Sequence, residues 1–355
     1  MTNELIIDKD YCMSAFLRYR LISNKKYCWE KNIKPFKYTY ENLQSIPVKN
    51  YSDIDKAIKD VLKERFKEHK TGIMLSGGMD SAILATYMPE GTLAYTMRCV
   101  AKDSVNEVEY AKRFADINKL DLRIVDITWD DMKRVSIPLM KKLKCPFHSI
   151  EPLIYRLCED AKKDNLEKLV CGETADIRFG GLDGLLSKDW SFEEFKKRYT
   201  FCEPSKVLKN SIDLEDDIKP YEKSGKIDVH AFLNEYFTIE SAMNDYLNPA
   251  TLNGIELIMP YALMRLDTEL DLDRIRRGEN KYLIRELFKI RYNGLEPNKK
   301  LPMPRAVGVW LKDWQGPTRP EFKKIDINEF KPDQKWLMFI LEDFLNRLDA
   351  GEFNE

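Results

Sequence analysis

Apolar residues recur at helical spacing just after residue 52. Ile54, Ile58, Val61, Leu62 and Phe66 fall on one face of DIDKAIKDVLKERFKEH, with Ser52 as the expected N-cap. The period then changes. Short apolar runs at 71–75, 92–97, 122–127 and 168–171 read as strands, and the stretches at 80–87, 107–118, 130–142 and 151–163 read as helices. Strand and helix alternating in this order predicts an α/β fold, with parallel βαβ units in a sheet covered on both faces. Beyond Trp190 amphipathic helices and loops take over. Residues 1–50 are polar and aromatic without a clear period and read as an irregular N-terminal extension. The expected organisation is therefore an extension (1–50), an α/β core (51–190) and a mainly helical part (191–355).

Composition narrows the function classes. A chain of 355 residues has room for two subdomains, and its net charge of −1 is spread evenly, unlike the basic excess of a nucleic-acid surface. No run approaches the roughly 18 apolar residues of a membrane span, and the acidic N-terminus is not a signal peptide, so a cytoplasmic location is expected. The seven cysteines form no CxxC pair and read as reduced, buried thiols. With three histidines in the chain, a histidine-based metal site is not expected either. The acidic run at 213–217 reads as a solvated turn or helix start.

The chemistry concentrates in Leu75-Ser76-Gly77-Gly78-Met79-Asp80-Ser81, a glycine turn between a strand and a helix. Gly77 and Gly78 remove side chains where backbone must approach a phosphate, and they permit positive φ. The free N–H groups of the next helix would face the same pocket. Ser76 and Ser81 add hydroxyl donors. Asp80 suits an anion pocket only if a cation intervenes, and Mg²⁺, which prefers carboxylate and phosphate oxygens, is the natural choice. The loop is neither GxxxxGK[ST] nor GxGxxG. It resembles the SGGxDS pyrophosphatase loop of the adenine-nucleotide α-hydrolase-like superfamily, whose members bind ATP, form adenylated intermediates and release pyrophosphate. That resemblance implies a five-stranded parallel sheet.

A second acidic motif follows the fourth strand: Cys171-Gly172-Glu173-Thr174-Ala175-Asp176-Ile177-Arg178-Phe179-Gly180-Gly181. Two acids three residues apart at the carboxyl edge of a sheet can hold a metal and act as a base, or can simply favour a helix N-terminus. The segment resembles the GEGADELFGGY motif of asparagine synthetases. Residues 253–261 (NGIELIMPY) are similar to that family's GLExRxPFLD segment, 281–286 (KYLIRE) to its KYxLRxA segment, and 300–311 to its closing RPKxGFxxPxxxWL stretch.

The resemblance implies roles. Asp80 and Asp176 would bind Mg²⁺; Ser76, Gly78 and Ser81 would cradle pyrophosphate; Leu75, Met97 and Gly172 would hold adenosine. Glu173 would lie near the incoming nucleophile, and Lys281 would stabilise the acyl-adenylate and pyrophosphate. Arg305 reads equally as a second phosphate contact or as a surface residue. The pattern also departs from the family. Thr2 follows Met1 where a nucleophilic cysteine would open a glutaminase domain, and with about seventy residues before the loop that domain is not expected in this sequence. Ile177 and Arg178 replace Glu-Leu. The expected function is adenylation of a small-molecule carboxylate by ATP and its capture by ammonia or an amine, with a separate glutaminase as a possible partner. Sulfur or nitrogen insertion into tRNA or another carbonyl, and a catalytically inactive binding subunit, stand as alternatives.

Overall fold

The computed structural model describes residues 5–36, 45–215, 217–298, 303 and 305–354. Asp216 of the acidic run, and Lys300 and Pro304 of the stretch resembling the family's closing motif, lie outside these residues. Strands β1 (Thr71–Met74), β2 (Leu93–Cys99), β3 (Asp121–Ile127), β4 (Lys168–Val170) and β5 (Glu256–Ile258) form one sheet in the order β5-β4-β1-β2-β3. Every pairing in it is parallel. β1 is buried along its whole length, which is why it reads as an unbroken apolar run.

Helices α2 (Tyr51–Arg65), α3 (Met79–Ala85), α4 (Val108–Ile117), α5 (Trp129–Leu143) and α6 (Glu151–Lys163) occupy the predicted stretches. The N-cap of α2 is Asn50 rather than Ser52, because the Asn50 side chain accepts from the N–H groups of Ser52 and Asp53. The order reverses at β1. The chain runs outward through β2 and β3, then returns to lay β4 on the other side. Such a switch point opens a crevice at the carboxyl ends of β1 and β4, where the two sequence motifs begin.

The remaining elements close over this edge. β5 comes from beyond residue 190, so the sheet draws on both halves of the chain. The segment read as irregular contains helix α1 (Lys9–Tyr19), buried from Tyr11 to Tyr19. Trp29, fully buried, packs on Phe344 of the last helix at a ring-centroid distance of 4.8 Å. Further on, α7 (Ala175–Arg178) and α8 (Phe192–Tyr199) precede a π-helical stretch, Phe232–Ala242, that leads into α9 (Asn244–Leu252). α10 (Tyr282–Arg291) and α11 (Pro332–Asp349) follow. Within the acidic run, Asp213 and Glu215 each lie 2.8 Å from Lys196, and Asp213 also pairs with buried Arg18. Asp213 remains exposed, as expected of a solvated segment, while also pairing with these two cations. All seven cysteines are buried without a disulfide, and among the described residues no helix is long and apolar enough to cross a membrane.

Candidate active site

The loop after β1 is tied internally before any ligand is considered. Ser81 Oγ accepts from the Ser76 N–H (3.1 Å) and lies 2.9 Å from Ser76 Oγ, which accepts from the Gly78 N–H. The Tyr261 hydroxyl donates to the Asp80 carbonyl at 3.1 Å and holds the start of α3 from below. Gly78 has φ −83°, and neither loop glycine adopts a positive φ. The requirement at Gly77 is space: a Cβ there would stand 2.6 Å from Tyr110 Cβ. The Gly77 N–H donates to a Glu107 carboxylate oxygen at 3.2 Å, so the loop already presents one backbone donor to a carboxylate. Burial raises the Glu107 carboxyl above its usual range, and that N–H opposes the rise.

The second motif folds against the first. A Cβ at Gly172 would lie 3.0 Å from the Ser81 nitrogen, so glycine lets the two backbones pack this closely without displacement. Thr174 stands at φ +75° with its hydroxyl buried and without a partner, an unfavourable state for a β-branched residue. This sharp turn carries Asp176 onto α7. The substituted position Arg178 is buried, and donates to Asn234 Oδ1 (2.8 Å) and to the Ala262 carbonyl (3.3 Å). Burial lowers it to about 10.

Lys281, almost fully buried at the start of α10, joins the motifs. Its Nζ lies 2.7 Å from Asp80 Oδ2 and 2.7 Å from Asp176 Oδ1. Burial works against the charge, but the two carboxylates outweigh it and hold the ammonium above its ordinary pKa. Among the described residues no three His, Cys, Asp or Glu side chains converge as a protein-only metal cage. The donors present suit Mg²⁺ instead, since two carboxylates already meet at one cation and Mg²⁺ completes its shell with phosphate oxygens and water.

The structure gathers all but one of the residues singled out from the sequence. Leu75, Ser76, Gly77, Gly78, Asp80 and Ser81 after β1, Met97 on β2, Gly172, Glu173 and Asp176 after β4, and Lys281 all line one cavity of about 290 Å³. Arg305 does not line it. It donates to Ser149 Oγ (3.2 Å) and pairs with Asp333, partly buried and away from the serine–glycine loop. Sequence reasoning missed Tyr246, on α9, which lines the same cavity as Glu173 and whose hydroxyl lies 3.9 Å from Met303 Sδ. Desolvation in the enclosed cleft raises Glu173 to about 7, opposed by the Thr174 N–H and the Tyr246 hydroxyl and reinforced by Asp176. A carboxyl at this value can exchange a proton near neutral pH. No local signal marks Tyr246, one aromatic residue among many in the C-terminal half.

A family model for asparagine synthase matches residues 53–315, from α2 to beyond Lys281. No curated protein matches the chain.

Proposed function

Because the chain belongs to the asparagine synthase family, a family of ATP-dependent ligases, we propose that it is an amide-forming ligase that activates a carboxylate as its acyl-adenylate. A substrate carboxylate oxygen attacks the α-phosphorus of ATP. The bond from the α-phosphorus to the bridging oxygen breaks, and pyrophosphate leaves with the electron pair. Ammonia or an amine then attacks the acyl carbon, AMP departs, and the nitrogen gives up a proton.

The observation that carries this reading is the convergence of Asp80, Asp176 and Lys281 beside the serine–glycine loop. Ser76, Ser81 and the loop N–H groups would bind the phosphates, and the apolar wall of Leu75 and Met97 would bind adenosine. Lys281 would stabilise charge on the leaving pyrophosphate and the adenylate. Asp80 and Asp176 would hold Mg²⁺, whose chemistry is to neutralise that same charge. Glu173, with Tyr246 orienting it, would take the proton from the nitrogen nucleophile.

The test is product analysis over a panel of carboxylates with ammonia or simple amines. Substrate-dependent AMP and pyrophosphate support the scheme; ADP and phosphate would sink it.

A further inference from the structure

Arg20 closes α1 with φ +66° and turns its side chain under the ring of Phe201, 3.8 Å from the ring centroid. Its Nη1 lies 2.8 Å from His148 Nε2, and Arg305 Nη1 lies 3.0 Å from the same nitrogen. Both guanidinium groups can only donate, so Nε2 must be the acceptor and the ring proton sits on Nδ1, which donates to Asp245 at 3.1 Å. His148 is therefore a neutral ring with one lone pair. Two cations share that lone pair.

The two cations here have two carboxylates, Asp245 and Asp333, but neither forms an ion pair with Arg20. Arg305 has Asp333 at 3.0 Å, towards the rim. Arg20 forms no ion pair among the described residues, and its buried Nε has no hydrogen-bond partner. A buried donor left unmatched beside a second cation is costly unless an anion completes the set.

The side chains of both arginines border open space. Arg20 and Arg305 line a second cavity of about 1320 Å³, with Arg198 on its wall. Met303 borders both this cavity and the one that holds the serine–glycine loop. Gly181 lines the second cavity too, and a Cβ there would collide with the Asp176 carboxylate and approach Lys281 Cδ to 2.8 Å. The second cavity thus reaches the acid–lysine centre at one side and the arginine pair at another.

We propose that this second cavity takes the non-nucleotide substrate, and that Arg20 and Arg305 together hold an anionic oxygen group of it, a carboxylate or a phosphate, that does not react. Assigning the ligand as a substrate rests on the ligase reading; the oxyanion site does not. The N-terminal segment then acts as a recognition element, because α1 delivers Arg20 into the site. Paired guanidinium donors suit an oxyanion geometrically, and binding them to one would relieve the shared lone pair of His148.

The experiment is titration of the full-length chain with succinate and, separately, with phenyl phosphate, followed by thermal unfolding without nucleotide. The wild-type protein, Arg20→Met and Arg305→Met are compared, with ATP binding measured on each. Saturable stabilisation by at least one probe is expected, weakened roughly tenfold or more by each substitution, as for loss of one partner of a desolvated charge contact. ATP affinity should stay unchanged. The preferred probe identifies the group as carboxylate or phosphate. If Arg20→Met does not fold, Arg305→Met and Arg20→Lys decide alone, since Arg305 lies nearer the rim and lysine keeps the charge without the fork. A lack of saturable binding by either probe, or binding that no substitution weakens, overturns the proposal. Failure of the wild-type protein to bind ATP would instead overturn the ligase reading and leave the oxyanion site standing.

Discussion

The Lys281 ammonium lies 2.7 Å from a carboxylate oxygen of Asp80, although 201 residues separate them in the chain. With Asp176 on its other side, Lys281 is the counter-cation of both acids. Its removal leaves two carboxylates facing each other. Lys281→Met should lower stability by about 2 kcal/mol, less than a fully buried pair would lose because both acids are partly exposed. Mg²⁺ should then raise the melting temperature of the variant more than that of the wild-type protein. Equal Mg²⁺ responses would show that the acids do not share a cation.

The Asp80 side chain bonds Lys281 while its backbone carbonyl accepts from Tyr261, so a side-chain substitution leaves the loop's backbone tie in place and separates chemistry from folding. Asp80→Ala should reduce nucleotide turnover by about two to three orders of magnitude, the usual cost of losing a charge-stabilising group. Circular dichroism should remain that of the wild-type protein. Unchanged turnover would indicate that ATP is cleaved elsewhere.

The pH dependence follows from Glu173. Its folded value of about 7 lies above that of an ordinary carboxyl, so the folded protein binds the extra proton between those values. Stability contributed by this group is therefore greatest in acid and is lost as pH rises to about 7. Activity that needs the ionised base should rise over the same window. Glu173→Gln should flatten both trends, checked by urea unfolding and initial rates at a series of pH values.

Tyr246 acts through Glu173. Its hydroxyl favours the ionised carboxylate, so Tyr246→Phe should move the rising limb of the pH–rate profile to higher pH. A lower rate with an unmoved limb would mark Tyr246 as merely structural.

Thr174 holds a left-handed backbone with a buried, unpartnered hydroxyl. Thr174→Gly removes both penalties at the expense of a more flexible unfolded chain, for a net gain of about 1 kcal/mol. The urea midpoint should rise.

The βαβ alternation and both motifs were legible because they rest on local signals, namely strand-sized apolar runs, helical periods and glycines where backbones approach. α1 was not legible. It is buried nearly all round, and a helix without a solvent face shows no 3.6-residue stripe. The location of β5 was equally hidden, since three residues at Glu256–Ile258 carry no strand signal until β4 lies beside them. The same holds for Tyr246 and Arg20, whose partners lie far off in sequence. Arg178 was visible as a departure from the family pattern, but its role in tying α7 to Asn234 and Ala262 is a tertiary fact.

The central claim is that ATP is cleaved at its α-phosphorus by a carboxylate bound beside Asp80, Asp176 and Lys281. Once exchange of labelled pyrophosphate into ATP has identified an active carboxylate, the direct measurement is turnover of that compound labelled with oxygen-18 in its carboxyl group. The account predicts that one labelled oxygen appears in AMP, carried there when the acyl-adenylate is opened by the nitrogen nucleophile. Label found in inorganic phosphate, with ADP as the nucleotide product, would contradict it.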